Sequence, residues 1–241
     1  MRDVDTAPRL FVTGTDTGVG KTQASRALLS LMADGGLAPR PFKPYESGCA
    51  SLRRPADALA LREAARSALP LELVCPHRFR LPLAPGVAAQ RERRESSWAR
   101  TLEAWRTVGQ GACVVEGAGG LYVPLDAEHD VIDLIATLRL PVLLVARAGL
   151  GTLNHTALSL EALAARRVEV AAVLLSRSAP GKDVSERDNP RLLAERHGVR
   201  VLGPVPFVAD AARRHAAFRR ALAPLLPVLQ ARRVVRRGKG R

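Results

Sequence analysis

Apolar residues fall along this chain in two kinds of run. Short unbroken runs occupy residues 10–13, 113–115, 142–146, 170–175 and 199–202, with a shorter candidate around Phe42. Between them, apolar positions recur at three- and four-residue spacing over residues 22–33, 56–69, 96–108, 131–138, 152–167 and 190–197. A strand with one face in water alternates apolar and polar residues. An unbroken apolar strand has both faces covered, as inside a parallel sheet. Strand–helix alternation then requires right-handed crossovers, so the pattern predicts an α/β, doubly wound fold: a mostly parallel sheet with helices on both faces. Ligands of such folds gather beyond the C-terminal ends of the strands. Trp98 and Trp105, seven apart on one predicted helix face, are expected in the core.

Each chemically distinctive segment follows one of the strand runs. After the first comes Gly14-Thr15-Asp16-Thr17-Gly18-Val19-Gly20-Lys21-Thr22, a glycine-rich turn that opens a helix on Gly-Lys-Thr. This is the layout of a P-loop. Backbone N–H groups from Gly18, Val19 and Gly20 through Gln23 wrap a β-phosphate, Lys21 reaches the β/γ oxygens and the Thr22 hydroxyl ligates Mg²⁺. The usual first glycine is Thr15 here, with Gly14 one residue earlier, a register that points away from general P-loop kinases. After Phe42 comes Lys43-Pro44-Tyr45-Glu46-Ser47-Gly48. Later strand runs lead into Glu116-Gly117-Ala118-Gly119-Gly120 and Ala148-Gly149-Leu150-Gly151-Thr152-Leu153-Asn154-His155. The glycines let backbone approach a ligand, and each segment delivers a polar group to the crevice. Glu116 has the position of a Walker B acid, placed to hold Mg²⁺ directly or through water. Asp57, opening a predicted helix, fits either a metal ligand or an acid favoured there by the helix dipole.

The 241 residues suit one large domain or two small ones. No linker or repeat divides them, so residues 1–231 are expected to form a single P-loop ATPase domain and 232–241 a disordered basic tail. No apolar run approaches the ~20 residues of a membrane span, and residues 1–8 are too polar for a signal peptide. Three cysteines, odd in number and without metal-ligand spacing, suit reduced thiols and a cytoplasmic location. A net charge of +14 raises nucleic acid as a partner. Six of those cations lie in the last ten residues, however, and elsewhere arginines run along helices without interleaved aromatics. They read as solvated surface, so neither nucleic acid nor membrane is an expected partner. Of the 37 basic side chains only four are lysine: Lys21, Lys43, Lys182 and Lys239. Two of these stand in the turns just described, where a compact ammonium does what a planar guanidinium cannot.

Five segments together resemble the dethiobiotin synthetases, in that family's order and near its spacing, over roughly residues 9–210. They are Phe11-Val12-Thr13-Gly14-Thr15-Asp16-Thr17 with Val19-Gly20-Lys21-Thr22, Lys43-Pro44 with Ser47-Gly48, Asp57-Ala58-Leu59, Val115-Glu116-Gly117-Ala118-Gly119-Gly120, and Leu150-Gly151 with Asn154-His155. The P-loop alone is shared with cobyrinate-type amide synthases, but the chain has no room for their glutaminase domain with its Cys nucleophile. A nucleotide-switched ATPase binding DNA or membrane is the other alternative. ATPases that partition DNA carry a second lysine near the start of the P-loop, where this chain has Thr15-Asp16-Thr17.

The resemblance implies a cyclo-ligase of biotin biosynthesis that uses ATP and Mg²⁺. Its substrates would be CO₂ and the diamino acid 7,8-diaminopelargonate; its products would be dethiobiotin, ADP and phosphate. Lys21 and Lys43 would be catalytic, flanking a carbamate and the γ-phosphate. Thr22, Asp57 and Glu116 would share Mg²⁺, and Thr17, Lys43 and Ser47 would hold the diamine. The helix start at Gly151, Thr152, Leu153 and Asn154 would bind the substrate carboxylate across a homodimer interface. Nucleotide contacts would come from the P-loop, Asp57 and residues Glu116, Gly117, Ala118 and Gly119. Ser176, Arg177, Pro206, Phe207 and Val208 would complete them near the base. Three features depart from the family pattern. Ser176-Arg177 stands where an Asn usually reads adenine, predicting looser base selectivity. Residues 81–86 lack the Glu and His of a Glu-Pro-x-x-Pro-His segment, and the basic tail has no counterpart.

Overall fold

In the computed structural model, residues 7–181 and 183–227 are described. Strand β1 (Arg9–Gly14) lies at the centre and leads through the glycine-rich turn into α1 (Lys21–Asp34). There follow β2 (Arg40–Phe42), β3 (Tyr45–Glu46), α2 (Ala56–Ala64), α3 (Leu71–Val74), β4 (His77–Arg78), α4 (Pro85–Glu92) and α5 (Trp98–Val108). The second half runs β5 (Cys113–Glu116), α6 (Val131–Leu138), β6 (Val142–Arg147), α7 (Thr152–Ala165), β7 (Val170–Ser176), α8 (Asn189–His197), β8 (Val201–Val205) and α9 (Ala211–Leu222).

Six strands form one sheet in the order β2-β5-β1-β6-β7-β8, every neighbouring pair parallel. Its two faces bury separate cores, which is why the strand runs are unbroken. Phe11, Phe42, Val115, Leu144 and Val173 face one core, whereas Leu10, Val12, Val114, Leu143 and Val145 face the other beneath α1 and α9. All ten are wholly buried. At roughly 1.5–3 kcal/mol for each large side chain, they anchor β1 and its neighbours as the rigid floor of the crevice. β3 and β4 pair in parallel as a separate two-stranded sheet.

The doubly wound fold expected from the sequence is present, with shifted boundaries. The stretch predicted over 56–69 stops being helical at Ala64, and Arg66 then takes a left-handed backbone at φ 51°. The stretch predicted from 96 begins at Trp98, because Ser97 caps it by accepting from the Arg100 N–H at 3.2 Å. Periodicity gave no signal for α9: its buried Ala217, Phe218 and Leu222 are diluted by four arginines. The strand predicted over 199–202 instead spans Val201–Val205. Trp98 and Trp105 pack half-buried against the first core, Trp105 with its ring centroid 5.7 Å from that of Phe42. The expected basic tail, Lys182 and Lys239 lie outside the described residues.

Candidate active site

Parallel register assembles the crevice. Phe42 is opposite Val115, so the next residue of each strand, Lys43 and Glu116, leaves the sheet side by side. Lys43 Nζ donates to Glu116 Oε1 at 2.7 Å and to the Gly117 carbonyl at 2.9 Å, with Asp57 Oδ2 at 3.9 Å. From the first turn of α1, the Thr22 hydroxyl donates to the same Glu116 Oε1 at 2.9 Å. Glu116 is wholly buried, and its other oxygen, Oε2, has no hydrogen-bond partner. Side chains from three other segments thus gather around one carboxylate.

The P-loop turns as its glycines require. Gly18 and Gly20 adopt φ of 75° and 106°, where an L side chain would be strained. A Cβ on Gly20 would also come within 3.1 Å of Phe218 and 3.2 Å of Ser176 Oγ. Lys21 is buried and donates to the Asp16 carbonyl at 2.6 Å. The Asp16 carboxylate accepts from the Thr17 N–H at 2.6 Å and from Arg147 at 3.1 Å. Thr17 and Gly18 form the exposed rim, Val19 is buried, and the Gln23 amide oxygen is buried without a partner. The β5 loop lies against this turn. Gly117 N–H donates to the Val12 carbonyl at 3.0 Å, and a Cβ on Gly119 would stand 2.7 Å from Val123. Ala118 is half-buried against the first core.

The two lysines differ in electrostatic state. Burial, reinforced by the charge of Lys43, lowers the Lys21 pKa to about 8. Burial also opposes the charge on Lys43, but Glu116 and Asp57 outweigh it and hold its pKa above the ordinary lysine value. Asp57 is pushed upward by burial and by Glu116, against the pull of Lys43. The donor set of one hydroxyl and two carboxylates, with Glu116 Oε2 lacking a partner, suits a hard cation that prefers oxygen. No cluster of three His, Cys, Asp or Glu is present among the described residues. A Mg²⁺ held here would draw its remaining ligands from phosphate and water, as it does in nucleotide sites.

The turn after β2 is tied down from two directions. Gly48 N–H donates to the Leu81 carbonyl at 3.0 Å and Cys49 N–H to the Phe79 carbonyl at 2.9 Å, with half-buried Ser47 just before them. The Glu46 carboxylate accepts from the backbone N–H groups of Asp57 at 3.0 Å and Ala58 at 2.8 Å. Motif reading passed over Glu46 because nothing in the local sequence shows that it reaches the start of α2.

At the far side of the crevice, α7 begins after Gly151, whose φ is 90°. Thr152 is wholly buried, its hydroxyl lies 3.2 Å from that of Thr156, and its N–H donates to the Gly149 carbonyl at 3.2 Å. Its side chain therefore faces inward. The N–H groups of Leu153 and Asn154 remain in a first turn that offers them no carbonyl within the helix. Two residues that the motifs did not flag hold this loop: Asp183 accepts from the Leu150 N–H at 2.7 Å, and buried Asn189 donates to the Ala148 carbonyl at 2.8 Å.

Strand register also unites the two segments expected near a base. Ser176 pairs with Val205, so Ser176-Arg177 and Pro206-Phe207-Val208 leave β7 and β8 together. Ser176 is buried, with its hydroxyl beside Gly20 of the P-loop. Arg177 is committed to an ion pair with Glu186, while Phe207 is exposed.

Comparison with known proteins agrees with this geometry. A family model described as an AAA domain matches residues 8–214. The ATP-dependent dethiobiotin synthetase BioD of Anaeromyxobacter sp. (strain K) is 50% identical over 207 residues, covering 85% of this chain and 92% of that protein. BioD of Bacillus subtilis (strain 168) is 34% identical over 202 residues, covering 83% of this chain and 87% of that protein. Among solved structures, the cell division protein ftsY of Thermotoga maritima is similar at 16% identity and a TM-score of 0.47. That match covers 90% of this chain and 69% of ftsY, a likeness too slight to bear on function. The motif order, the parallel P-loop architecture and near-full-length identity up to 50% converge on one conclusion: the chain belongs to the ATP-dependent dethiobiotin synthetase family.

Proposed function

We propose that the protein carboxylates 7,8-diaminopelargonate with CO₂ and closes it to dethiobiotin, converting ATP to ADP and phosphate. The observation that carries this reading is the buried Lys43, held between Glu116 and Asp57 beside the P-loop Thr22. A neutral amine of the substrate attacks CO₂ and loses a proton, leaving a carbamate. A carbamate oxygen then attacks the γ-phosphorus and ADP departs. The second amine attacks the carbamoyl carbon, a proton is lost, and the C–O bond to phosphate breaks as the cyclic urea forms. Lys43 is placed to stabilise charge on the carbamate and the transferring phosphoryl group, and Lys21 to stabilise the phosphates. Thr17 and Ser47 would orient the diamine. Mg²⁺ held by Thr22, Asp57 and Glu116 would neutralise phosphate charge.

A phosphate beside Lys21 would offset the burial and the Lys43 charge that lower its pKa to about 8. Residues 1–231 would form one P-loop domain, with 232–241 a basic tail. A homodimer would cover Leu158, exposed on α7, and place Leu153 and Asn154 against the carboxylate of the substrate in the partner. Three buried, free cysteines favour the cytoplasm. Among the described residues no helix is long and apolar enough to cross a membrane. Phosphate release measured with and without the diamine and bicarbonate, with the product weighed by mass spectrometry, tests the reading. Release dependent on both substrates and a product of dethiobiotin mass support it. Release indifferent to the diamine overturns it.

A further inference from the structure

We propose that Glu46 is a positioning residue, which sets where Asp57 stands relative to Lys43 and so tunes the affinity for the nucleotide-bound divalent cation. This inference rests on the Mg²⁺ role given above to Asp57. Helix α2 begins after Pro55, which has no side-chain oxygen with which to cap it. Glu46, eleven residues before Asp57, takes over that task. It is buried, and each of its carboxylate oxygens accepts one N–H, from Asp57 and from Ala58. These are the second and third residues of the helix, and their N–H groups have no carbonyl partner inside it.

The anchoring at the other end makes this more than a cap. Glu46 belongs to β3, and its carbonyl accepts from the Phe79 N–H at 2.9 Å. Three residues earlier on the same turn, Lys43 N–H donates to the Val74 carbonyl at 2.8 Å. One short stretch of chain therefore fixes the backbone of Lys43 and, through Glu46, the backbone of Asp57. An ordinary Ser or Asp cap at position 55 would tie α2 only to its own leading residue. The carboxylate from β3 ties it to the Lys43 turn, and the 3.9 Å spacing of Lys43 and Asp57 follows.

Glu46→Gln tests this with little change of shape. The amide keeps one acceptor oxygen but sets an NH₂ against the other N–H. Titrating Mg²⁺ into the ADP-bound protein, we expect roughly ten-fold weaker cation binding, as for partners that orient metal ligands. ADP affinity without metal should stay within about two-fold, and amide hydrogen exchange at Asp57 and Ala58 should accelerate. Loss of metal-free ADP affinity in step with the cation would mark a merely structural role and overturn the proposal, as would unchanged cation binding. Asp57→Asn, measured alongside, separates the two layers. If it weakens cation binding while Glu46→Gln does not, only the Glu46 proposal falls. If neither variant weakens it, the metal role of Asp57 falls too. Should Glu46→Gln not fold, Glu46→Asp takes its place, keeping the charge but drawing it back by one methylene. Weaker cation binding at unchanged metal-free ADP affinity then supports the proposal, and unchanged cation binding overturns it.

Discussion

The two halves of the crevice are built on different principles. Around β1, β2 and β5 the candidate groups are side chains packed against one another, with Lys43, Thr22 and Glu116 joined by direct hydrogen bonds. Around β6, β7 and β8 several polar side chains turn away or are already engaged. Thr152 faces Thr156, Ser176 lies beside Gly20, and Arg177 is held by Glu186. Beside them lie N–H groups, glycine turns and strand ends, with the side chains of Asn154 and His155 exposed at the start of α7. A side-chain site fails when one atom changes, whereas a backbone site tolerates side-chain change as long as its scaffold holds.

The sharpest way to break that contrast is Lys43→Ala. Turnover should fall by a factor on the order of 10² or more while nucleotide affinity stays within a few-fold, because the lost contact acts mainly in the transition state. Folding should also suffer by roughly 3 kcal/mol, since the buried Glu116 would lose its cationic partner and keep only the Thr22 hydroxyl. Steady-state kinetics and urea melts check both; near wild-type turnover would remove Lys43 from the chemistry. Lys21→Met should move stability the opposite way. The folded pKa of about 8 lies below the unfolded 10.5, so the folded state disfavours the proton and stability is lost as pH falls from 10.5 through 8. At pH 7 the unliganded variant should be more stable by ~1–3 kcal/mol, with nucleotide binding lost. A destabilised Lys21→Met protein would contradict the burial argument.

On the same side-chain half, Thr22→Val should weaken the Mg²⁺ dependence of turnover by about ten-fold or more through loss of a metal ligand. An unchanged dependence would remove Thr22 from the metal site. On the backbone half the effects should be smaller. With no amide at position 176 to read the base, CTP or GTP should support turnover within roughly ten- to a hundred-fold of ATP, the worth of about 1–3 kcal/mol of paired contacts. A gap beyond a thousand-fold would show that other groups read it. Smallest of all, Thr152→Val should leave the diamine KM within about two-fold while costing roughly 1 kcal/mol of stability, as expected for an inward hydroxyl. A ten-fold rise in KM would put the Thr152 hydroxyl on the ligand surface.

The same division explains what could be read from the sequence. Lys21, Lys43, Thr22, Asp57 and Glu116 each stand beside a glycine- or proline-marked turn or open a helix, so local pattern exposes them, and parallel register then brings them together. The unbroken strands were equally legible, because burial on both faces leaves no alternation. The inward turn of the Thr152 side chain was not legible, because a helix start does not reveal which way its first side chain points. The capping partners Glu46, Asp183 and Asn189 were missed because each acts on backbone distant in sequence. Helix α9 escaped because its arginines interrupt the apolar period that would have revealed it.

The Glu116 carboxylate is asymmetric in its surroundings: Oε1 receives both Thr22 and Lys43, while Oε2 receives nothing. Its nearest isostere, glutamine, would have to set an amide nitrogen in one of those two places. Turned toward Oε1, that nitrogen would meet two donors head-on; turned toward Oε2, it would close the only lone pairs still available to a cation. Aspartate keeps the charge but draws both oxygens back from partners on α1 and β2. Neither of the two side chains nearest to glutamate thus reproduces both the doubly occupied oxygen and the open one, at a position with no exposed surface.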